Sequence, residues 1–106
     1  MLSILIVNWN VRDLLRDCLR SIERGRVDLA VEVIVVDSAS DDGSAAMVAA
    51  EFPWVTLLTQ TDNVGFPRGN NIALARARGD TLLLLNPDTV VLDDALTVLI
   101  LSLIHI

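Results

Sequence analysis

The chain has 106 residues, enough for one domain, and 53% of them are hydrophobic, enough for a core. Its formal charge of -6 argues against nucleic acid or an anionic bilayer as a non-specific partner, and favours an anion site that works through a bound cation. A single cysteine, Cys18, allows no internal disulfide.

Met1 to Val7 carries no basic segment and is too short for a signal peptide, and Asp93 and Asp94 interrupt the long apolar stretch near the end. A soluble, cytoplasmic chain is therefore the expectation. Ser3 to Val7, apolar and largely β-branched, reads as the first strand, followed by the polar Asn8-Trp9-Asn10. Asn10 is the expected N-cap of a helix from Val11 to Arg24, in which Leu14, Leu15, Cys18, Leu19 and Ile22 recur at helical spacing and Gly25 supplies the C-cap. Arg12, Arg16, Arg20 and Arg24 line the other side of this helix, a pattern that suits a solvated face paired with acids such as Asp13 and Asp17 better than a lipid contact.

Glu32 to Val36 is the second strand and ends at Asp37, with the turn formers Ser38 to Ser44 behind it. Ala45 to Glu51 reads as a short helix stopped at Pro53, and Trp54 to Thr59 as the third strand. Val64 to Asn71 reads as a loop entering a third helix that Gly79 terminates. Leu82 to Leu85 is a short apolar run that breaks at Asn86-Pro87-Asp88, as expected for a strand buried on both faces, and a last helical pattern starts at Asp93 or Asp94 and runs through Leu96 and Leu99.

This alternation implies right-handed crossovers and a mostly parallel sheet. Asn8, Asp37, Asn63 and Asp88 follow four different strands, so the topology brings them to one edge, the edge where open α/β sheets bind ligands.

The residue types there suggest chemistry. Asp88 beside Asn86 offers hard oxygen ligands to magnesium or manganese, with simple turn formation as the competing use. Two like unit charges about 4 Å apart repel by roughly 4 kcal/mol at an effective dielectric near 20, so an acidic edge holds a diphosphate only through a bridging cation. Asp37 could accept a hydrogen bond from a base or ribose, or equally cap its own loop, and Asn8 and Asn10 offer amides to a heterocycle or to a helix. Gly65, Arg68, Gly69, Asn70 and Asn71 combine backbone freedom with a guanidinium suited to phosphate or base. Trp9, Trp54 and Phe66 read as packing anchors. No Gly-x-Gly-x-x-Gly follows the first strand and no Gly-Lys-Ser/Thr occurs, so dinucleotide oxidoreductase and P-loop readings are weak.

Taken together, Ile4 to Asn10, Val33 to Ser44, Asn63-Val64-Gly65-Phe66 with Asn71, and Leu85-Asn86-Pro87-Asp88 resemble family 2 glycosyltransferases of the rhamnosyltransferase type, over nearly all of Met1 to Ile100. The resemblance implies a GT-A, Rossmann-like fold with a mostly parallel sheet and flanking helices, here truncated, and a nucleotide-diphosphate-sugar donor carried on dTDP or UDP. On it, Asp37 would contact the nucleobase, and Asn8 and Asn63 would line the nucleotide pocket. Asn10, Gly65, Arg68, Asn71 and Asn86 complete the expected donor-binding set, and Asp88 takes the metal-binding place of the family's Asp-x-Asp motif. Asn86 departs from the first Asp of that motif, Pro67 stands where a small residue is more usual, and Ala73 where Gly is common.

The implied reaction is inverting sugar transfer to a glycan or lipid-linked acceptor, with rhamnose the sugar expected from the subgroup. The catalytic base and the acceptor-binding half are expected beyond this chain, and the full-length protein is expected in the cytoplasm or peripherally at the inner face of the membrane. Residues 1–100 would then be the donor-binding half of the domain. Leu101 to Ile106 resembles the in-frame translation of a transposon-end sequencing adapter, which makes 101–106 an expected non-native tail and His105 an artefact. Two other classes remain open: a metal-dependent nucleotidyltransferase, which should show a Gly-rich basic loop after the first strand, and a receiver-type binding module, which would want a strand-end lysine in a chain that has none.

Overall fold

The computed structural model describes residues 1–26, 29–91 and 95–96. Four strands, β1 (Leu2–Asn8), β2 (Val31–Asp37), β3 (Thr56–Thr59) and β4 (Thr81–Leu84), alternate with three helices, α1 (Arg12–Gly25), α2 (Ser44–Glu51) and α3 (Gly65–Arg76). The strands form one sheet in the order β3-β2-β1-β4, and every pairing is parallel. The expected α/β architecture is what the chain adopts.

β1 and β2 are the centre of the sheet and pair in register from Leu2 with Val31 to Asn8 with Asp37. Both are apolar without alternation because both sheet faces are covered. On one face Leu2, Ile4, Ile6, Val33 and Val35 pack against Leu15, Cys18, Leu19 and Ile22 of α1 and Met47 and Val48 of α2. On the other, Leu5, Val7, Ile34 and Val36 pack against Ala73, with Ile72 and Leu58 beside them. No helix among the described residues is long and apolar enough to cross a membrane.

Several local expectations are corrected. Asn10 is not an N-cap: it sits at φ +53°, in the left-handed region, and α1 starts two residues later. The first helical N–H is instead met from outside, by Arg12 N donating to Asp42 Oδ2 at 2.9 Å. Gly25 lies in the last turn of α1 rather than beyond it, and Arg26 N closes the helix onto Ile22 O. The stretch expected as a loop from Val64 to Asn71 is mostly helix, since α3 begins at Gly65. Asn63 Oδ1 accepts from Gly65 N at 3.0 Å, and Pro67 lies in the first turn, where its missing N–H would have no helical partner in any case. α3 ends at Arg76 rather than at Gly79, because Ala77 turns extended and Arg78 N donates to Glu32 Oε2. Gly79 has another use. A Cβ there would lie 2.5 Å from Ser3 Oγ and 2.6 Å from the Met1 carbonyl, so only glycine fits where the chain enters β4.

β4 is not buried on both faces. Leu83 and Leu85 pack into the core beside α1, but Leu82 is 46% and Leu84 57% exposed. α3 packs mainly over β1 and β2, the two central strands. Beyond β4, Val91 N donates to Ser21 Oγ, bringing the chain back over α1. The helix expected from Asp93 or Asp94 lies outside the described residues apart from Ala95 and Leu96, and so does the 101–106 tail.

The arginine stripe on α1 is paired, as the solvated-face reading expects. Arg16 contacts Asp13 and Glu51, and Arg20 contacts Glu51. The main partner comes from α2 rather than from α1's own Asp17. Trp54 is a packing anchor, edge-on to Phe52 and covered by the Arg26 guanidinium 3.9 Å from its ring centre.

Candidate nucleotide site at the strand exits

Strand alternation decides which of the expected residues can share a site. Ile4 and Ile6, like Val33 and Val35, face α1 and α2, so the next residues in step, Asn8 and Asp37, face that side too. Val7 and Ser38, one residue out of step, line the opposite side. The expected set therefore splits into two layers.

The layer beneath is a network of buried polar groups. Asn8 Nδ2 donates to Asp37 Oδ1 at 3.0 Å and to Ser40 Oγ at 3.3 Å, while Asp37 Oδ2 accepts from Ser40 N at 3.1 Å. Asp37 is 3% exposed with both oxygens engaged, so its carboxylate serves its own loop, one of the two uses its position allowed. Asn8 is fully buried, and its Oδ1 has no partner among the described residues. Asn10 is tied to the same loop: its N–H donates to Ser40 Oγ at 2.9 Å and its Oδ1 accepts from Asp41 N at 2.8 Å.

Asp42 extends this layer to the helices. It accepts from Arg12 N with one oxygen and from Ser44 N and Ser44 Oγ with the other, so one carboxylate sits at the N-termini of both α1 and α2. Burial alone would raise its pKa, but these hydrogen bonds outweigh burial and hold it below the usual aspartate value. Asn10, Arg12, Asp13, Leu14 and Asp42 also line a shallow depression of about 480 Å3.

The layer above is a cleft of about 250 Å3 lined by Val7, Trp9, Ser38, Asn63, Gly65 and Phe66. Trp9 is 54% and Phe66 49% exposed, so these two rings are not the packing anchors that their hydrophobicity suggested. The cleft lies where α3 starts, and α3 is pressed close to β1: a Cβ on Gly69 would come within 2.7 Å of Val7 Cγ1. Ser38 Oγ donates to Asn63 Oδ1 at 2.8 Å and accepts from Val64 N at 2.7 Å. Since Gly65 N also donates to Asn63 Oδ1, the orientation of this amide is determined, and Nδ2 is the end left for a ligand.

The side chains of Arg68 and Asn71 stand exposed on α3 and make no hydrogen bond to the described residues. Asn86 and Asp88 are exposed beyond β4, in a turn where Thr89 N donates to Asn86 O. Among the described residues no hydrogen bond joins them to the cleft. Asp88 is instead felt by Cys18, whose thiol is pushed up to about 12, by burial first and by the Asp88 charge second. Cys18 is therefore a protonated packing residue.

The model of glycosyl transferase family 2 matches residues 3–105. The chain belongs to that family. It is 34% identical over 95 residues to the uncharacterized glycosyltransferase YfnE of Bacillus subtilis (strain 168), covering 87% of this chain and 24% of that protein. Among solved structures it is similar to the mannosyltransferase PcManGT from Pyrobaculum calidifontis in complex with GDP-Man and Mn2+, at 28% identity and a TM-score of 0.77, over 92% of this chain and 30% of the other. It also shares its fold with S. aureus TarS, solved with UDP and with UDP-GlcNAc, at TM-scores of 0.87 and 0.84 over 98% of this chain and 32% and 31% of those chains, and 21% and 22% identity. The chain thus spans about a quarter to a third of the length of these family 2 relatives.

The residues that the sequence offers to a divalent ion are Asn86 and Asp88 at the β4 exit. Among the described residues no three His, Cys, Asp or Glu side chains are grouped as a metal cage. Asp88 and Asn86 supply one carboxylate and one amide oxygen, both exposed. That donor set suits magnesium or manganese, which keep waters and take phosphate oxygens alongside one or two protein ligands.

Proposed function

We propose that this chain is the donor-nucleotide-binding part of an inverting glycosyltransferase, and that the cleft between Trp9 and Phe66 receives the nucleobase. The observation that carries the reading is a cleft lined by two exposed aromatic residues, Trp9 at the β1 exit and Phe66 at the start of α3, together with the Asn63 amide, whose orientation is fixed by its hydrogen bonds. A base between two rings gains stacking energy of about 1–3 kcal/mol, whatever its identity. Identity is read by Asn63, whose Nδ2 donates to a carbonyl oxygen on the base edge. The site therefore takes uracil, thymine or guanine nucleotides in preference to adenine, in line with a UDP- or dTDP-sugar donor and with the GDP-Man bound by the archaeal mannosyltransferase.

On the same reading Arg68 pairs with phosphate oxygens from the first turns of α3. Asp88 and Asn86 hold magnesium or manganese, which would neutralise the diphosphate and stabilise it as a leaving group. Asn8 and Asp37 support the site without touching the donor, which moves Asp37 from base recognition to positioning. The reading assigns no general base to this chain, so it binds donor without transferring sugar. The acceptor, glycan or lipid-linked, and polysaccharide synthesis as the setting belong to the longer protein, as does the sugar, for which rhamnose is the expectation.

An Asn63→Asp variant tests the assignment. It keeps an acceptor for Ser38 and Gly65 but presents an acceptor, in place of a donor, to the base. Wild type should bind UDP, dTDP or GDP better than ADP, and the variant should lose about tenfold for the first three and gain for ADP. Equal binding of all four by both proteins would contradict it.

A further inference from the structure

Two non-glycine residues of the described chain lie at positive φ, Asn10 at +53° and Ala39 at +59°. They sit in adjacent loops, the exits of β1 and β2, which are joined by Ser40, the residue after Ala39, accepting from Asn10 N. Asn tolerates the left-handed region; Ala gains nothing locally from it, and such strain persists only where the surroundings enforce it. The enforcing contacts all pass through residues 37–41. Ser40 is held by Asp37 through its N–H, and its hydroxyl oxygen accepts from both Asn10 N and Asn8 Nδ2. Asp41 N then donates to Asn10 Oδ1, and Ser38 N donates to Asn8 O.

The consequence falls on the residue between the two asparagines. Trp9 is flanked on each side by a residue tied to the β2 loop, yet its own ring is 54% exposed at the cleft. Its direction is set by the backbone on either side of it rather than by packing around the indole.

We propose that Ser40, with Asn10, is the positioning residue for Trp9: the Ser40 hydroxyl latches the β1 exit to the β2 exit and so holds the indole as a rigid wall of the cleft before any nucleotide arrives. This rests on the nucleotide-site reading above for its purpose, but not for its geometry. Neither Ser40 nor Asn10 lines the cleft, so the latch acts through Trp9. A wall held in place before binding loses less freedom when the base docks, so its rigidity appears directly as affinity.

The experiment uses the whole chain with Trp54→Phe, which leaves Trp9 as the sole tryptophan. Ser40→Ala, Ser40→Thr and Asn10→Gly are compared by Trp9 fluorescence anisotropy without ligand, by calorimetric titration with UDP, dTDP and GDP in the presence of manganese, and by thermal unfolding. Ser40→Ala, which removes the acceptor of both Asn10 N and Asn8 Nδ2, should lower the anisotropy and weaken nucleotide binding roughly fivefold to tenfold. Ser40→Thr, which keeps the hydroxyl, should restore both. Asn10→Gly, which keeps the left-handed backbone but loses the bond from Asp41, should loosen Trp9 while remaining folded.

Unchanged Trp9 mobility in both Ser40→Ala and Asn10→Gly would overturn the latch, as would lost affinity with unchanged mobility, which would mean that Ser40 meets the nucleotide itself. If the wild type binds none of the three nucleotides, the functional reading fails, and the anisotropy still decides the latch.

Discussion

At the exits of β1 and β2, Asn8, Asn10, Asp37, Ser38 and Ser40 are each hydrogen-bonded to another element, whereas at the exit of β4 Asn86 and Asp88 stand exposed with a single turn to hold them. The first region is nearly complete as it stands, because its buried polar groups, Asn8 Oδ1 excepted, find partners among the described residues. The second offers oxygen ligands but not enough of them to bind an ion alone. The difference separates two tasks in the proposed site. Shape for the base is built into the fold, while the diphosphate end takes form only with the ion and the phosphates present.

Removing one group from each region should give opposite results. Asp37→Ala takes one of two acceptors from the buried Asn8 Nδ2 and the acceptor from Ser40 N, and should cost about 2–4 kcal/mol in urea unfolding. Asp88→Ala removes an exposed carboxylate and should change stability by less than about 0.5 kcal/mol by the same measurement. Comparable losses for the two variants would erase the distinction.

A smaller effect concerns pH. The Asp42 carboxyl is held below its usual value of 3.8, so its contribution to stability is present above that value and is lost as pH falls through the lower folded-state pKa. Asp42→Asn does not titrate. The stability gap between wild type and this variant should therefore be full at neutral pH and shrink on acidification below the ordinary aspartate value. A gap independent of pH would show that the Asp42 charge does not hold the starts of α1 and α2.

Much of this was legible in the sequence, for identifiable reasons. The apolar runs of β1 and β2, the helical spacing in α1 and the alternation of the two element types depend on burial, which periodicity reports directly. The convergence of Asn8, Asp37 and Asn63 followed from parallel topology alone. What escaped depended on tertiary partners. Gly65, Pro67, Gly69, Asn70 and Asn71 all favour loops, yet they open α3, with Asn63 meeting the Gly65 N–H and Gly69 allowing the helix to lie against Val7. Asn10 has the chemistry of an N-cap, but its oxygen is drawn to Asp41 in the neighbouring loop. Trp9 and Phe66 counted as core because hydrophobicity cannot distinguish a ring that packs from a ring that waits for one. The useful signal was position: both flank the polar residues of strand exits, Trp9 between Asn8 and Asn10 and Phe66 just after Asn63-Val64-Gly65. Leu82 and Leu84 misled in the other direction, since an apolar run looks the same at the centre of a sheet and at an edge.

The central claim is that one site spans both regions, with the base at Trp9 and the ion at Asp88. Calorimetric titration of the whole chain with UDP and with dTDP, with and without manganese, tests it most directly when wild type is run beside Trp9→Ala and Asp88→Ala. The account predicts saturable binding that manganese strengthens, a loss of roughly tenfold or more in Trp9→Ala with the manganese effect retained, and a loss of the manganese effect in Asp88→Ala with residual binding retained. Binding indifferent to manganese and to both substitutions would contradict it.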